Sequence, residues 1–303
     1  MIKSLTVTNP KGESLKLDLM RPGLSGLAVK SIDGLGPPQA SIKTSEIATM
    51  DGVLYVGSRL EIRNIVISLI MMEQPSVEVN RLKTYRYFPV MKSVEIVVET
   101  DDKTVKINGY VESNEPEIFA EQEETKISII CPDPYFYDVN ESVVGFSDVL
   151  SLFEFEFENA SVSEKLIEMS EIRNDTRSLI TYPGDGDTGL LIKIQMYAPV
   201  TKIEMYNSFT GGSMKIDASK LPSTLGSTFR VNDVLEISTK RGDKSVTLVR
   251  SGNRSNAITC LTRNAEWFQL TAGDNIFSYA IDDGDNDSNV SITFAFDIAY
   301  EGV

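Results

Sequence analysis

The sequence contains no histidine, and this absence removes more chemistry than any other feature of its 303 residues. Without imidazole, no Ser-His-Asp or Cys-His nucleophile can be assembled, no His-ligated zinc site can form, and no side chain of ordinary pKa changes charge between about pH 5 and 8. Cysteine is nearly as scarce. Cys131 and Cys260 stand far apart in the chain and read as buried thiols rather than as a bridge, and two soft donors are too few for a four-ligand metal site. Long apolar runs are missing too: the longest, Ile65 to Met72, is broken by Ser68 and falls well short of the roughly 20 residues that span a bilayer. No apolar stretch of signal-peptide type follows Met1, so the expectation is a chain that stays in the cytosol that makes it unless it leaves within an assembly, with no membrane insertion. Finally there is no basic surplus. Lys and Arg number 29 against 44 Asp and Glu, a net charge of −15, which repels phosphate backbones and argues against specific nucleic-acid binding. Together these absences predict no enzyme, no cofactor and no metal.

What is present is an ordinary globular composition, 41% hydrophobic and 24% charged, long enough for two domains. Apolar residues alternate at period two in Leu15, Leu17 and Leu19; Val94, Ile96 and Val98; Val105 and Ile107; Ile127, Ile129 and Cys131; and Ile292, Phe294, Phe296 and Ile298. Leu152 to Glu158, LFEFEFE, gives the cleanest alternation. These are half-buried strands, whereas Ile62 to Met72 is apolar on both faces toward its end and reads as a central one. One helix is expected over Ser76 to Phe88, with Ser76 as N-cap, Val79, Leu82 and Tyr85 along one side and Pro89 as the stop. Ser161 to Glu171 carries a capping-box spacing but leaves helix and strand both open.

Pro132 and Pro134 interrupt a strand and are followed by Tyr135, Phe136 and Tyr137, which places a domain break there. Residues 1–137 carry 15 basic and 19 acidic groups, residues 138–303 carry 14 and 25, so two differently charged modules are expected. These prolines and aromatics are read as docking the two domains rather than as binding a ligand. In the second module glycine-marked turns recur between short strands, the cadence of an antiparallel β-sandwich.

Several strings imitate functional motifs. Gly184 to Gly189, GDGDTG, has dinucleotide-fingerprint spacing, but a strand-like LLIKIQMY follows where a helix is required, and Asp185 and Asp187 would oppose phosphate. Asp282 to Ser288 has alternating aspartates like a calcium loop, yet lacks its glycine and its closing glutamate. Arg241-Gly242-Asp243 reads as a hairpin turn. Trp267, the only tryptophan, is a candidate sugar-stacking residue, although burial is its more common use.

Taken in order, Ser31 to Ile42 (SIDGLGPPQASI), Thr84 to Val90 (TYRYFPV), Ile107 to Phe119 (INGYVESNEPEIF), Ile127 to Asp138 (ISIICPDPYFYD), Ser238 to Leu248 (STKRGDKSVTL), Asn264 to Tyr279 (NAEWFQLTAGDNIFSY) and the ending AYEGV resemble the phage distal tail protein (Dit) family over nearly the whole chain. The resemblance implies a mainly β, structural protein of the virion tail. Its N-terminal module, residues 1–137, would be a tail-tube-like β-barrel or sandwich with one helix and an extended belt. Residues 138–303 would be a galectin-like, carbohydrate-binding-module-like sandwich. Six copies would form a homohexameric ring joining the tail tube protein to a tail-tip, fibre or receptor-binding protein at the baseplate, with DNA passing through unbound; the acidic composition adds the expectation of a mostly acidic lumen. A carbohydrate-binding adhesion module contacting the host envelope is the alternative. The glycine- and proline-rich stretch from Gly26 to Ser58 suits an arm laid on a neighbour.

Overall fold

In the computed structural model, which describes residues 1–48, 51–151, 170–174, 177–281 and 289–303, the alternating sequence becomes alternating burial. Two compact units result, Met1–Asn140 together with Ala299–Val303, and Glu141–Ile298. The boundary therefore lies at 140/141 rather than 137/138, and the last five residues pack in the first unit rather than the second. The LFEFEFE segment at 152–158, the aspartate-rich string at 282–288 and most of 161–171 lie outside the described residues.

The first unit runs β1 (Ser4–Thr8), β2 (Ser14–Asp18), β3 (Leu27–Asp33), β4 (Ala40–Glu46), β5 (Val53–Leu60), β6 (Arg63–Met71), α1 (Val77–Tyr87), β7 (Ser93–Glu99), β8 (Thr104–Pro116), β9 (Glu124–Cys131) and β10 (Phe136–Asp138). Its main sheet has the antiparallel order β2-β1-β7-β8-β9-β6-β3, with β10 added to β8. Leu5, Leu17, Ile65, Ile67, Ile96, Val105, Ile127 and Ile129 all point into one core, so the sheet curls around its own apolar face. Strand β6 sits next to the edge strand β3 instead of at the centre, and it buries only alternate residues from Arg63 to Met71.

The second unit contains β11 (Ser142–Gly145), β12 (Ser147–Ser151), β13 (Ser170–Asn174), β14 (Arg177–Tyr182), β15 (Thr188–Gly189), β16 (Leu191–Met196), β17 (Lys202–Asn207), β18 (Ser213–Asp217), β19 (Val234–Ser238), β20 (Ser245–Arg250), β21 (Asn253–Asn256), β22 (Gln269–Leu270), β23 (Gly273–Ile281) and β24 (Val290–Phe296). Sheets ordered β11-β24-β16-β19-β20-β21 and β14-β23-β17-β18 share one core, in which Ile192, Leu235 and Phe294 of the first meet Met205, Phe277 and Tyr279 of the second. Phe277 and Phe294 pack at 5.0 Å between ring centroids. The GDGDTG string supplies the turn after β14 and then β15 itself, Thr188–Gly189, and is followed by strand β16, with no helix to hold a pyrophosphate. Arg241-Gly242-Asp243 is the β19–β20 turn, with Gly242 at φ +84°.

After β24 the chain returns to the first unit as β25 (Ala299–Tyr300), which pairs antiparallel with β10, Phe136 opposite Tyr300. That pairing is why residues 299–303 belong there.

Helix α1 starts at Ser76, whose Oγ accepts the Val79 N–H at 3.2 Å. Its burial is inverted relative to its hydrophobicity. Asn80 and Thr84 are fully buried, while Val79, Leu82 and Tyr85 remain 40–53% exposed. Asn80 holds the helix down with side-chain bonds from Nδ2 to the Met72 and Gln74 carbonyls, both 2.9 Å, and its Oδ1 accepts from Lys83 Nζ at 3.1 Å. At the other end, Arg86 donates to Glu13, with Nε at 2.8 Å. The bonds from Arg86 and Asn9 hold the Glu13 carboxyl down at about 2.

Candidate functional site

The feature that sets this chain apart from a closed β domain is the β4–β5 hairpin. Among the described residues it pairs only with itself, Ala40 opposite Leu60 through Glu46 opposite Val53, and joins no other sheet. Ile42, Val53, Leu54, Tyr55 and Val56 are 56–64% exposed, and because neighbouring residues of a strand point to opposite faces, both faces of the hairpin carry bare apolar side chains. A two-stranded ribbon of this kind is marginal by itself and presents two unpaired edges.

Its root is firm where its body is bare. The Glu61 N–H donates to the Gln39 carbonyl at 2.9 Å and closes the hairpin base. Below it, Arg63 is 3% exposed and lies where the β6 alternation requires an inward residue. Its guanidinium donates to four backbone carbonyls: Gly34 and Gly36 at 2.5 Å, Pro134 at 2.7 Å and Glu301 at 2.6 Å. It also lies 4.5 Å over the Phe136 ring. Burial pulls the Arg63 pKa below its ordinary value, with nearby Cys131 and Glu301 opposing the shift, and the group remains cationic. Gly34 is the backbone counterpart of this clasp. It adopts φ +87°, and a Cβ there would sit 2.1 Å from the Asn64 carbonyl oxygen, so no other residue fits. Pro37 and Pro38 then stiffen the lead into β4.

Arg63 thus draws together the two ends of the hairpin, the Pro134 segment and the returning residue Glu301. Of the aromatic–proline cluster, Pro132 is exposed, and Pro134, Tyr135 and Tyr137 are half-buried. Phe136 is fully buried in the core of the first unit. The Tyr137 hydroxyl donates to Asp133 at 2.8 Å. Trp267 lies half-buried against the core of the second unit, with Lys244 Nζ 5.4 Å from its ring centroid. Sequence reasoning missed Arg63 and Asn80, because a lone polar residue beside an apolar run carries no sign that its partners are backbone carbonyls.

The described residues supply little covalent chemistry. Cys131 and Cys260 are both free and buried, and burial pushes their thiols up to about 11 and about 12, so neither is a nucleophile at neutral pH. No group of three or more Cys, Asp or Glu side chains among the described residues is arranged to hold a metal. No helix of the described residues is long and apolar enough to cross a membrane.

Antiparallel β units with one α-helix among the described residues make up a fold of the Dit type, that of a phage tail protein. Among solved structures it matches the SPP1 Dit (gp 19.1) protein, titled a paradigm of hub adsorption apparatus in Gram-positive infecting phages, with a TM-score of 0.65 and 12% identity over 97% of this chain and 98% of that one. A weaker match is the phage P2 baseplate in its activated conformation with Ca, with a TM-score of 0.48 and 11% identity over the whole of both chains. No protein-family model matches the sequence, and neither does any curated protein sequence.

Proposed function

We propose that this protein is a structural component of a phage tail, a distal tail subunit whose first unit builds a homohexameric ring between the tail tube protein and a tip or fibre protein, with DNA passing through its lumen. The second unit is read as a galectin-like sandwich. The observation that carries the proposal is the hairpin. Its five bare apolar side chains expose roughly 100 Å² each, about 500 Å² together, at the upper end of what a monomer leaves uncovered and a large share of the roughly 800 Å² per partner in a standard interface. A rooted arm that reaches onto the next copy is a heterologous contact, and such contacts close into rings by rotation. The SPP1 Dit fold supports the same reading. Residues 1–137, read as the ring-forming module, carry 15 basic against 19 acidic groups, so a channel they line has no basic surplus with which to hold DNA.

The test is size-exclusion chromatography with light scattering, followed by negative-stain imaging. The expected species is six copies of 33.5 kDa, about 200 kDa, with a central hole. The double variant Leu54→Asp, Val56→Asp removes roughly 2.5 kcal/mol of burial per side chain from each contact and is expected to run as a folded monomer. If the wild-type chain and this variant elute alike, the hairpin is not the ring contact.

A further inference from the structure

The β4–β5 hairpin takes its direction from its root, because no other strand among the described residues pairs with it. Strand β5 alone has 8 residues, about 27 Å at roughly 3.4 Å each, so a swing of about 20° at the root carries the tip through about 9 Å. Freedom of that size has to be given up when the hairpin meets a partner, which weakens the contact unless the root is fixed beforehand.

The root is held through three successive carbonyls. Those of Gly34 and Gly36 accept from Arg63 Nη1, and the one between them, Leu35, accepts the Val303 N–H at 3.0 Å. Residues 299–303 act on the root a second time through Arg63 itself, whose Nη2 donates to the Glu301 carbonyl at 2.6 Å. Lys103, in the turn between β7 and β8, fastens the same residues: its Nζ donates to the Gly302 carbonyl at 3.0 Å and lies 4.1 Å over the Tyr300 ring. Gly302 lies so close beneath the root that a Cβ on it would sit 3.4 Å from Leu35, Gly36 and Pro37. Leu35, Tyr300 and Val303 all pack against the core of the first unit. Gly34 to Pro37, Arg63 and Lys103 precede the second unit in the sequence, whereas 299–303 follow it.

From this juxtaposition we infer that residues 299–303 are a latch that sets the arm. Until they are in place the strands of the first unit can form while the hairpin swings, and the arm is fixed only in a chain whose second unit has already been made. At about 5 to 20 residues per second, synthesis of residues 141–298 keeps the latch open for roughly 10 to 30 s. Chains without a second unit are thereby kept out of the ring, a consequence that rests on the hairpin being the ring contact proposed above.

The test is the distance distribution between nitroxides at Ser45→Cys, on the exposed hairpin, and Asn108→Cys, on the exposed side of β8, measured by double electron–electron resonance. Cys131 and Cys260 are buried and escape labelling. The Leu54→Asp, Val56→Asp background keeps copies apart, so that only the root restrains the arm. The full chain is expected to give one narrow distance, a chain lacking residues 299–303 a distribution broadened by about 9 Å, and Lys103→Met an intermediate width. Unchanged far-ultraviolet circular dichroism establishes that the strands remain; if the shortened chain loses it, Lys103→Met decides alone. Equal widths in the full chain and the variants would overturn the latch. With the hairpin residues restored, the chain lacking 299–303 is expected to lose the ring seen by light scattering, and rings formed as readily as by the full chain would overturn the control of assembly. A full chain that forms no ring would refute the distal-tail reading instead, and the widths would still decide the latch.

Discussion

Replacing Arg63 by methionine tests the clasp that roots the hairpin. Methionine keeps a long apolar stem against Phe136 while deleting all four bonds to the carbonyls of Gly34, Gly36, Pro134 and Glu301. Hydrogen bonds to a charged group contribute about 1.5 to 3 kcal/mol each, which summed naively exceeds the stability of many domains. Gly34 and Gly36 are exposed, so their carbonyls regain water when the guanidinium is gone. The larger cost falls on the half-buried Pro134 and Glu301 carbonyls, giving a net loss of about 3 to 5 kcal/mol. At a urea dependence of about 2 to 3 kcal/mol per molar, the first unit should unfold about 1 to 2.5 M earlier. The chain supplies its own control, because its only tryptophan, Trp267, lies in the second unit. Tryptophan emission should keep its wild-type midpoint while far-ultraviolet circular dichroism gains an early phase, and native-state hydrogen exchange should accelerate at 127–131 and 299–303. An unchanged dichroism midpoint, or equal shifts by both probes, would refute the argument that Arg63 acts within the first unit alone.

Two further outcomes follow from particular contacts. Because Glu13 is held at about 2, below its ordinary 4.5, its pairing with Arg86 stabilises the fold fully above about pH 4.5 and is lost as the pH falls toward 2. Carboxyl-carbon NMR should follow Glu13 titrating near 2 in the wild type and moving up toward 4.5 in Arg86→Ala; an unmoved titration would show that the bond to Arg86 is not the cause. Gly109→Ala places a Cβ 2.6 Å from Ile129 Cγ2 and 2.7 Å from Cys131 Sγ, and the resulting overpacking should cost about 1 to 3 kcal/mol in the first unit, read by the same dichroism melt.

Strands that bury one face were legible in the sequence, because burial writes period two into it: Val94, Ile96 and Val98 became β7, and Ile292, Phe294 and Phe296 became β24. The helix cap at Ser76 was legible for a similarly local reason, a side-chain oxygen placed three residues before an orphan N–H. The β4–β5 hairpin could be read only as an arm and not as two strands. Neither of its faces is covered, so nothing forced its apolar residues onto one side. The orientation of α1 was hidden for the opposite reason, since the side that packs is fastened by Asn80 and Thr84 rather than by its apolar row.

The pairing of β10 with β25 has a mechanical consequence. The chain enters the second unit just after β10 and leaves it just before β25, and on the far side β11 and β24 are paired in turn, Ser142 opposite Phe296. The two crossings therefore begin and end about one strand spacing apart, near 5 Å. Residues 141–298 are thus an insertion within the chain of an otherwise continuous first unit. A pull on the second unit is borne by two covalent strands at once rather than by a single linker. Any foreign domain whose own ends lie side by side could be exchanged for residues 141–298 without asking the first unit's chain to change its course.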